Sequence, residues 1–237
     1  MDDLQATQEL ALEASAARVV LVQMNAAVSE MTFSGCERRE EVMLMLLAAA
    51  ADDAMAMTHL LATSPIQFAA PACVLSRSLL EKFLRAAYFG RLATACELER
   101  FEQAGKLPRR IDPVSQKTRD ITTAELTSEV AAELRFDALN AMVAVGWRPL
   151  CGMVHGGLEL CARYFSDAGV VGSRFEPVPL LSMVHNSVVL GRITVQLAHE
   201  LACSSPTVSD RELVAAAHAF EDYDKASRSR MDRLKAP

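Results

Sequence analysis

Arg77, Glu81 and Arg85 recur every four residues within residues 72–91, ACVLSRSLLEKFLRAAYFGR. Spacing of four stacks side chains along one stripe of a helix, each about a turn above the last. Leu75, Leu79, Leu80, Phe83 and Leu84 fall at helical, not strand, spacing. Val74, Leu84 and Tyr88 lie inside or beside the charged stripe. A solvated face is not interleaved in that way. The stripe is therefore expected to be partly buried and its charges paired, because an unpaired buried charge is too costly to keep. A second set, His155, Glu159 and Arg163, has the same spacing. The two stripes are expected to face each other, with Glu81 contacting Arg77 or Arg85 and lying within reach of His155. An imidazole near an acid and two arginines has two readings. It can be a general acid or base, with arginines holding an anionic centre. It can equally be a histidine satisfied by Glu81 or Glu159 inside a bundle, its cluster fixing helix register. Gly156 and Gly157 are poor helix formers, each costing roughly 1 kcal/mol relative to Ala. Two of them beside a histidine indicate close approach to the backbone by another helix or a ligand.

Other strong signals are missing from the sequence. It contains no phosphate-binding loop of the G-x-x-x-x-G-K-S/T type, dinucleotide fingerprint, H-E-x-x-H or nucleophile elbow. The six cysteines, at positions 36, 73, 96, 151, 161 and 203, form no C-x-x-C pair, so neither a metal nor a cofactor is expected. They read as reduced thiols of a cytoplasmic protein. A third, weaker stripe places His185, Arg192, Gln196 and His199 in a narrow arc, as a polar seam or the wet side of a helix.

These residues need long helices to hold them, and the composition supplies them. Hydrophobic residues make up 51% of the 237, aromatics only 5%, and Ala, Leu and Met abound, a mix that favours helices over sheets. The net charge of −6 argues against a general nucleic-acid coat. Charge is uneven, however. Residues 1–75 hold ten acids and three bases, net −7, whereas residues 76–120 hold ten bases and six acids, net +4. Arg109, Arg110, Lys117 and Arg119 form either a basic patch or a solvated loop.

The pattern predicts helices over residues 3–30 and 37–63, a central helix over 72–91, and a short one ending at Gly105 as C-terminal cap. Residues 106–123 read as irregular. Thr122 or Thr123 opens the next helix, with Glu125 and Glu129 in its early turns. It runs to about residue 145 and is ended by Gly146-Trp147-Arg148-Pro149. The His155 helix spans 151–165, a linker 167–179, and further helices 180–202 and 210–225. The acidic N-terminus is not a signal peptide. Residues 54–76 lack Asp, Glu, Lys and Arg, but Pro65 and Pro71 interrupt them, so no membrane span is expected.

The R77-x-x-x-E81-x-x-x-R85 pattern is followed by Ala86-Ala87-Tyr88 and later by Glu99-Arg100-Phe101. It resembles a bacterial all-helical family of unknown function carrying R-x-x-x-E-x-x-x-R-G-x-W and a T-H-G-G helix that ends in A-R-R-F. Here the second block reads V154-H155-G156-G157 and A162-R163-Y164-F165, and the similarity spans roughly residues 70–200. Departures are Ala86 for Gly, Tyr88 for Trp, Val154 for Thr and Tyr164 for Arg. More distantly the chain resembles HEPN-like helical domains, many of them metal-independent ribonucleases of toxin and phage-defence systems. Their motif is Arg, four to six residues, then His. Arg148 and His155 are separated by six, although Pro149 stands where a polar residue is usual.

The expectation is thus an all-α bundle of six to eight helices, one domain over residues 1–225 with a polar tail at 226–237. Under one function it cleaves RNA, with His155, Arg77, Glu81 and Arg85 as catalytic residues and Arg148, Glu159 and Arg163 in binding. Under the other it is a non-catalytic helical module that binds a partner protein. A homodimer is expected, because residues 42–51 and 54–62 are apolar nearly all round; the HEPN resemblance implies pairing too.

Overall fold

The computed structural model describes residues 3–164, 171–202 and 210–235. Nine α-helices, one π-helical turn and one short hairpin make up the elements among them. They are α1 (Asp3–Ser29), α2 (Arg38–Thr63), α3 (Ala69–Ala87), a π turn (Tyr88–Leu92), α4 (Ala95–Ala104), β1 (Arg109–Ile111), β2 (Thr118–Asp120), α5 (Thr123–Glu133), α6 (Ala138–Val154), α7 (Leu158–Tyr164), α8 (Pro177–Ala202) and α9 (Asp210–Lys235). The all-α class is as the composition implies.

Helix α2 lies at the centre. Its Met43, Leu47, Met57 and Leu61 are fully buried, and it packs against α1, α3 and α8. The apolar surface of residues 42–62 is therefore covered largely within the same chain. By length and hydropathy α2 and α8 would each suffice to cross a bilayer, yet here both pack in the core. In α1 the inward stripe is Leu10, Ala14, Ala17, Leu21 and Met24, while Leu4, Val19 and Val22 face outward.

Helix ends follow local chemistry. Thr94 with Glu97, and Thr122 with Glu125, form reciprocal capping boxes. Gly105 ends α4 in the left-handed conformation at φ 63°. Three boundaries differ from the sequence expectation. First, α5 stops at Glu133, not near residue 145. The Phe136 amide bonds the Ala131 carbonyl at 2.9 Å and the Arg135 amide bonds the Ala132 carbonyl at 3.2 Å, with Arg135 at φ 50°. That is a Schellman stop with Arg in the seat glycine usually fills. Second, α6 runs through Gly146-Trp147-Arg148-Pro149. Proline removes the bond to the Val145 carbonyl, but both residues are on the solvent side, where water can take that carbonyl, while Trp147, Leu150 and Met153 keep the inner face packed. Third, α9 continues to Lys235, ten residues past the expected end, through the stretch read as a tail.

Residues 106–123, read as irregular, contain an antiparallel hairpin with Arg109 opposite Asp120, Arg110 opposite Arg119 and Ile111 opposite Thr118.

Candidate functional site

Glu81 binds both of its stripe neighbours: one carboxylate oxygen takes Arg77 Nη1 and the other takes Arg85 Nη2. The expected pairing along the stripe is therefore present. Helix α6 closes the cluster from outside. Arg77 Nε donates to Cys151 Sγ at 3.3 Å, and its guanidinium carbon sits 4.2 Å from the centroid of the Trp147 ring. Burial works against the Arg77 charge, but the Cys151 and Glu81 contacts outweigh it and hold its pKa above the ordinary value. Both oxygens of Glu81 are engaged by arginines. The geometry of the cluster is that of a clamp between α3 and α6.

The second stripe does not exist as one surface. His155 is the C-cap of α6, and Glu159 and Arg163 belong to α7. Gly156 lies between them at φ 66°, and the Gly157 amide bonds the Gly152 carbonyl at 2.8 Å, a Schellman stop. The two glycines are thereby explained. Gly156 supplies the left-handed turn that L side chains resist, and the close neighbour is Glu159. A Cβ on Gly157 would meet Glu159 Oε2 at 3.0 Å and the Gly152 backbone at 3.4 Å, and Gly152 in turn leaves no room for a Cβ beside Glu159. His155 is exposed, and its side chain has no hydrogen-bond partner among the described residues. The expectation of two facing stripes is corrected: a helix stop turns the chain between residues 155 and 158. Arg163 pairs with Glu176 at 3.2 Å and covers Phe175.

Arg148 also lies outside the clamp. It is exposed on α6, seven positions before His155, and so two turns away on the same face. Both side chains are without ionic partners among the described residues. Two large apolar side chains are exposed here, Val145 at 79% and Leu158 at 85%, and α7 has no buried residue.

The basic stretch is a neutralised one. Arg110 reaches from the hairpin to Glu97 at 2.9 Å, to Glu129 at 3.0 Å and to the Tyr88 hydroxyl at 2.8 Å. Arg119 is held by Asp112 and Glu125. These arginines pin the hairpin to the bundle instead of presenting a charged patch.

Two polar sites escaped the sequence reading. Glu13 is 1% exposed, accepts from the Tyr223 hydroxyl at 2.5 Å and pairs with Arg230, which also reaches Glu9 at 2.9 Å. Beside it His185 Nδ1 lies 3.1 Å from Ser227 Oγ and Nε2 lies 3.6 Å from Asp224. Ser227 is 1% exposed, so this Ser-His-Asp arrangement has no access for a substrate and locks α9 onto α1 and α8. Burial pushes the His185 imidazole below its ordinary value, against the pull of Asp224 and Glu13. Of the α8 seam, His185 thus faces inward, Arg192 covers Phe220, and Gln196 lines a cleft with Arg91, Arg135 and Glu200. Glu13 and its partners stand 210 and 217 residues apart, and His185 and Ser227 42 apart, so neither site leaves a spacing signal, and the left-handed Arg135 follows from a helix stop that lacks glycine and had no sequence signature.

No group of three or more His, Cys, Asp or Glu with metal-binding geometry occurs among the described residues. Neither the curated proteins nor the solved structures contain a match to the chain. A family model does match, over residues 47–224, from the middle of α2 into α9 and so across the clamp, the His155 corner and the cleft. The chain therefore belongs to the DUF6988 family, a family of unknown function.

Proposed function

We propose that this protein is a non-catalytic helical interaction module, which pairs with a second copy of itself through the outer face of α6 and α7. The observation that carries the reading is the exposure of the apolar side chains Val145 and Leu158, left uncovered by two helices that otherwise flank a well-packed bundle. Arg148 and Glu159 stand on the same corner with opposite charges and no ionic partners among the described residues. A two-fold pairing brings each onto the other's counterpart, as an isologous interface requires. The Arg77–Glu81–Arg85 clamp then has a structural task, holding α6 in place behind the surface it presents. Light scattering should give twice the chain mass for the wild type and the single-chain mass for Leu158→Glu, whose far-ultraviolet dichroism should match that of the wild type. A monomeric wild type at micromolar concentration removes the reading.

A second reading, a metal-independent ribonuclease of toxin or phage-defence type, is favoured by one observation. Arg148 and His155 are both exposed, unpaired and on one face of α6. His155 would act as general base, taking the proton of the 2′-hydroxyl as it attacks phosphorus, worth about 10²–10⁴-fold, with Arg148 on the phosphate and the departing 5′-oxygen protonated by water. Cleavage of RNA in excess chelator that is abolished by His155→Ala, without change in melting, would establish it and displace the module reading.

A further inference from the structure

A cleft of about 390 Å³ opens between the α5–α6 turn, the π turn and α8. It shares no residue with the clamp or with the α6–α7 corner. Its walls are apolar at Leu134, Phe136, Ile193 and Leu197. The volume falls in the range of small-molecule sites, in which apolar walls carry a few placed polar groups.

The polar groups sort into two kinds. Arg91 and Glu200 form an ion pair, and Gln196 donates to the other Glu200 oxygen at 3.2 Å, so this set is internally balanced. Glu133 and Arg135 are different. They flank Leu134 in the turn, both are exposed, and neither has an ionic partner among the described residues. The cleft thus offers one free negative and one free positive group, a residue apart, beside the apolar side chains of Leu134, Phe136, Ile193 and Leu197.

The local backbone is unusual at both polar walls. Arg135 holds φ 50° at a helix stop where glycine would be free of strain. Arg91 comes from the π turn, a geometry found frequently at functional sites. Arg91 Nε is buried without an acceptor, so its pairing with Glu200 leaves one donor unsatisfied and is easier to rearrange.

We infer that this cleft binds a small zwitterion with an apolar body, of the free α-amino acid class. Its carboxylate meets Arg135, its ammonium meets Glu133, and its side chain lies on Leu134, Phe136, Ile193 and Leu197. A simple carboxylate leaves Glu133 repelled, and a simple amine leaves Arg135 repelled. Only a ligand carrying both charges closely spaced satisfies the pair.

The test is titration calorimetry of the full chain with L-leucine, L-isoleucine and L-phenylalanine, and with N-acetyl-L-leucine and L-leucinamide, which each lack one charge. At least one free amino acid should bind, the two blocked compounds about tenfold or more weaker. Arg135→Gln and Glu133→Gln should each weaken binding similarly while leaving the melting curve unchanged, since both side chains are exposed. Absence of binding by all three amino acids overturns the inference. So does equal binding of either blocked compound, or binding that survives both substitutions.

Discussion

Replacing Glu81 by Ala strips both Arg77 and Arg85 of their counter-charge at once. The three side chains are 29%, 17% and 26% exposed, so the clamp lies between a surface pair and a buried one. Exposed pairs contribute about 0–1 kcal/mol, and breaking a buried pair costs about 3–5 kcal/mol. Arg77 keeps the Trp147 face and Cys151 after the change, whereas Arg85 keeps no charged partner and already has a buried Nε without an acceptor. The expected loss is about 2 kcal/mol, intermediate between those limits. For a chain of 237 residues this lowers the thermal midpoint by about 4–8 °C. Differential scanning calorimetry or far-ultraviolet dichroism reads it directly. The cycle of Glu81→Ala, Arg85→Ala and the double substitution isolates the pair, because removing Arg85 as well removes the orphaned charge; the double variant should melt above the sum of the single losses. A midpoint for Glu81→Ala within about 1 °C of wild type, or simple additivity in the cycle, would refute the clamp.

Three further outcomes are expected. In Gly90→Ala a new Cβ on the π turn would sit 2.8 Å from Met43 Cβ, which cannot swing aside, so chemical denaturation should show a loss of about 1–3 kcal/mol. The depressed His185 pKa means the unfolded chain takes up a proton that the folded chain resists; stability should therefore fall as pH drops below the ordinary value of 6.5, and the drop should shrink in His185→Gln. Burial raises the Cys73 thiol to about 11, so maleimide at neutral pH should label the exposed Cys96 and Cys161 in the native protein and Cys73 only after unfolding.

What the sequence determined by itself is local in origin. Arg77, Glu81 and Arg85 could be read as a paired stripe because spacing of four meets within a single helix, and the structure pairs them so. The capping boxes at Thr94 and Thr122 and the stop at Gly105 are likewise short-range hydrogen-bond chemistry. Spacing misled where the helix itself was interrupted. His155, Glu159 and Arg163 have the right intervals, but the left-handed turn at Gly156 places them on two helices, and periodicity has no meaning across such a stop. Pro149 misled in the other direction, since whether a lost backbone bond ends a helix depends on which side meets water, a property of the packing. The same holds for charge. Arg110 and Arg119 could be read as a basic patch or as a solvated loop, because Glu97, Glu125 and Glu129 reach them only once the hairpin lies against α4 and α5. The Glu13–Tyr223–Arg230 lock and the cleft between Arg91, Arg135 and Glu200 join residues far apart in the chain. Such contacts are set by where whole helices come to rest, which is a matter of summed core packing and not of any motif.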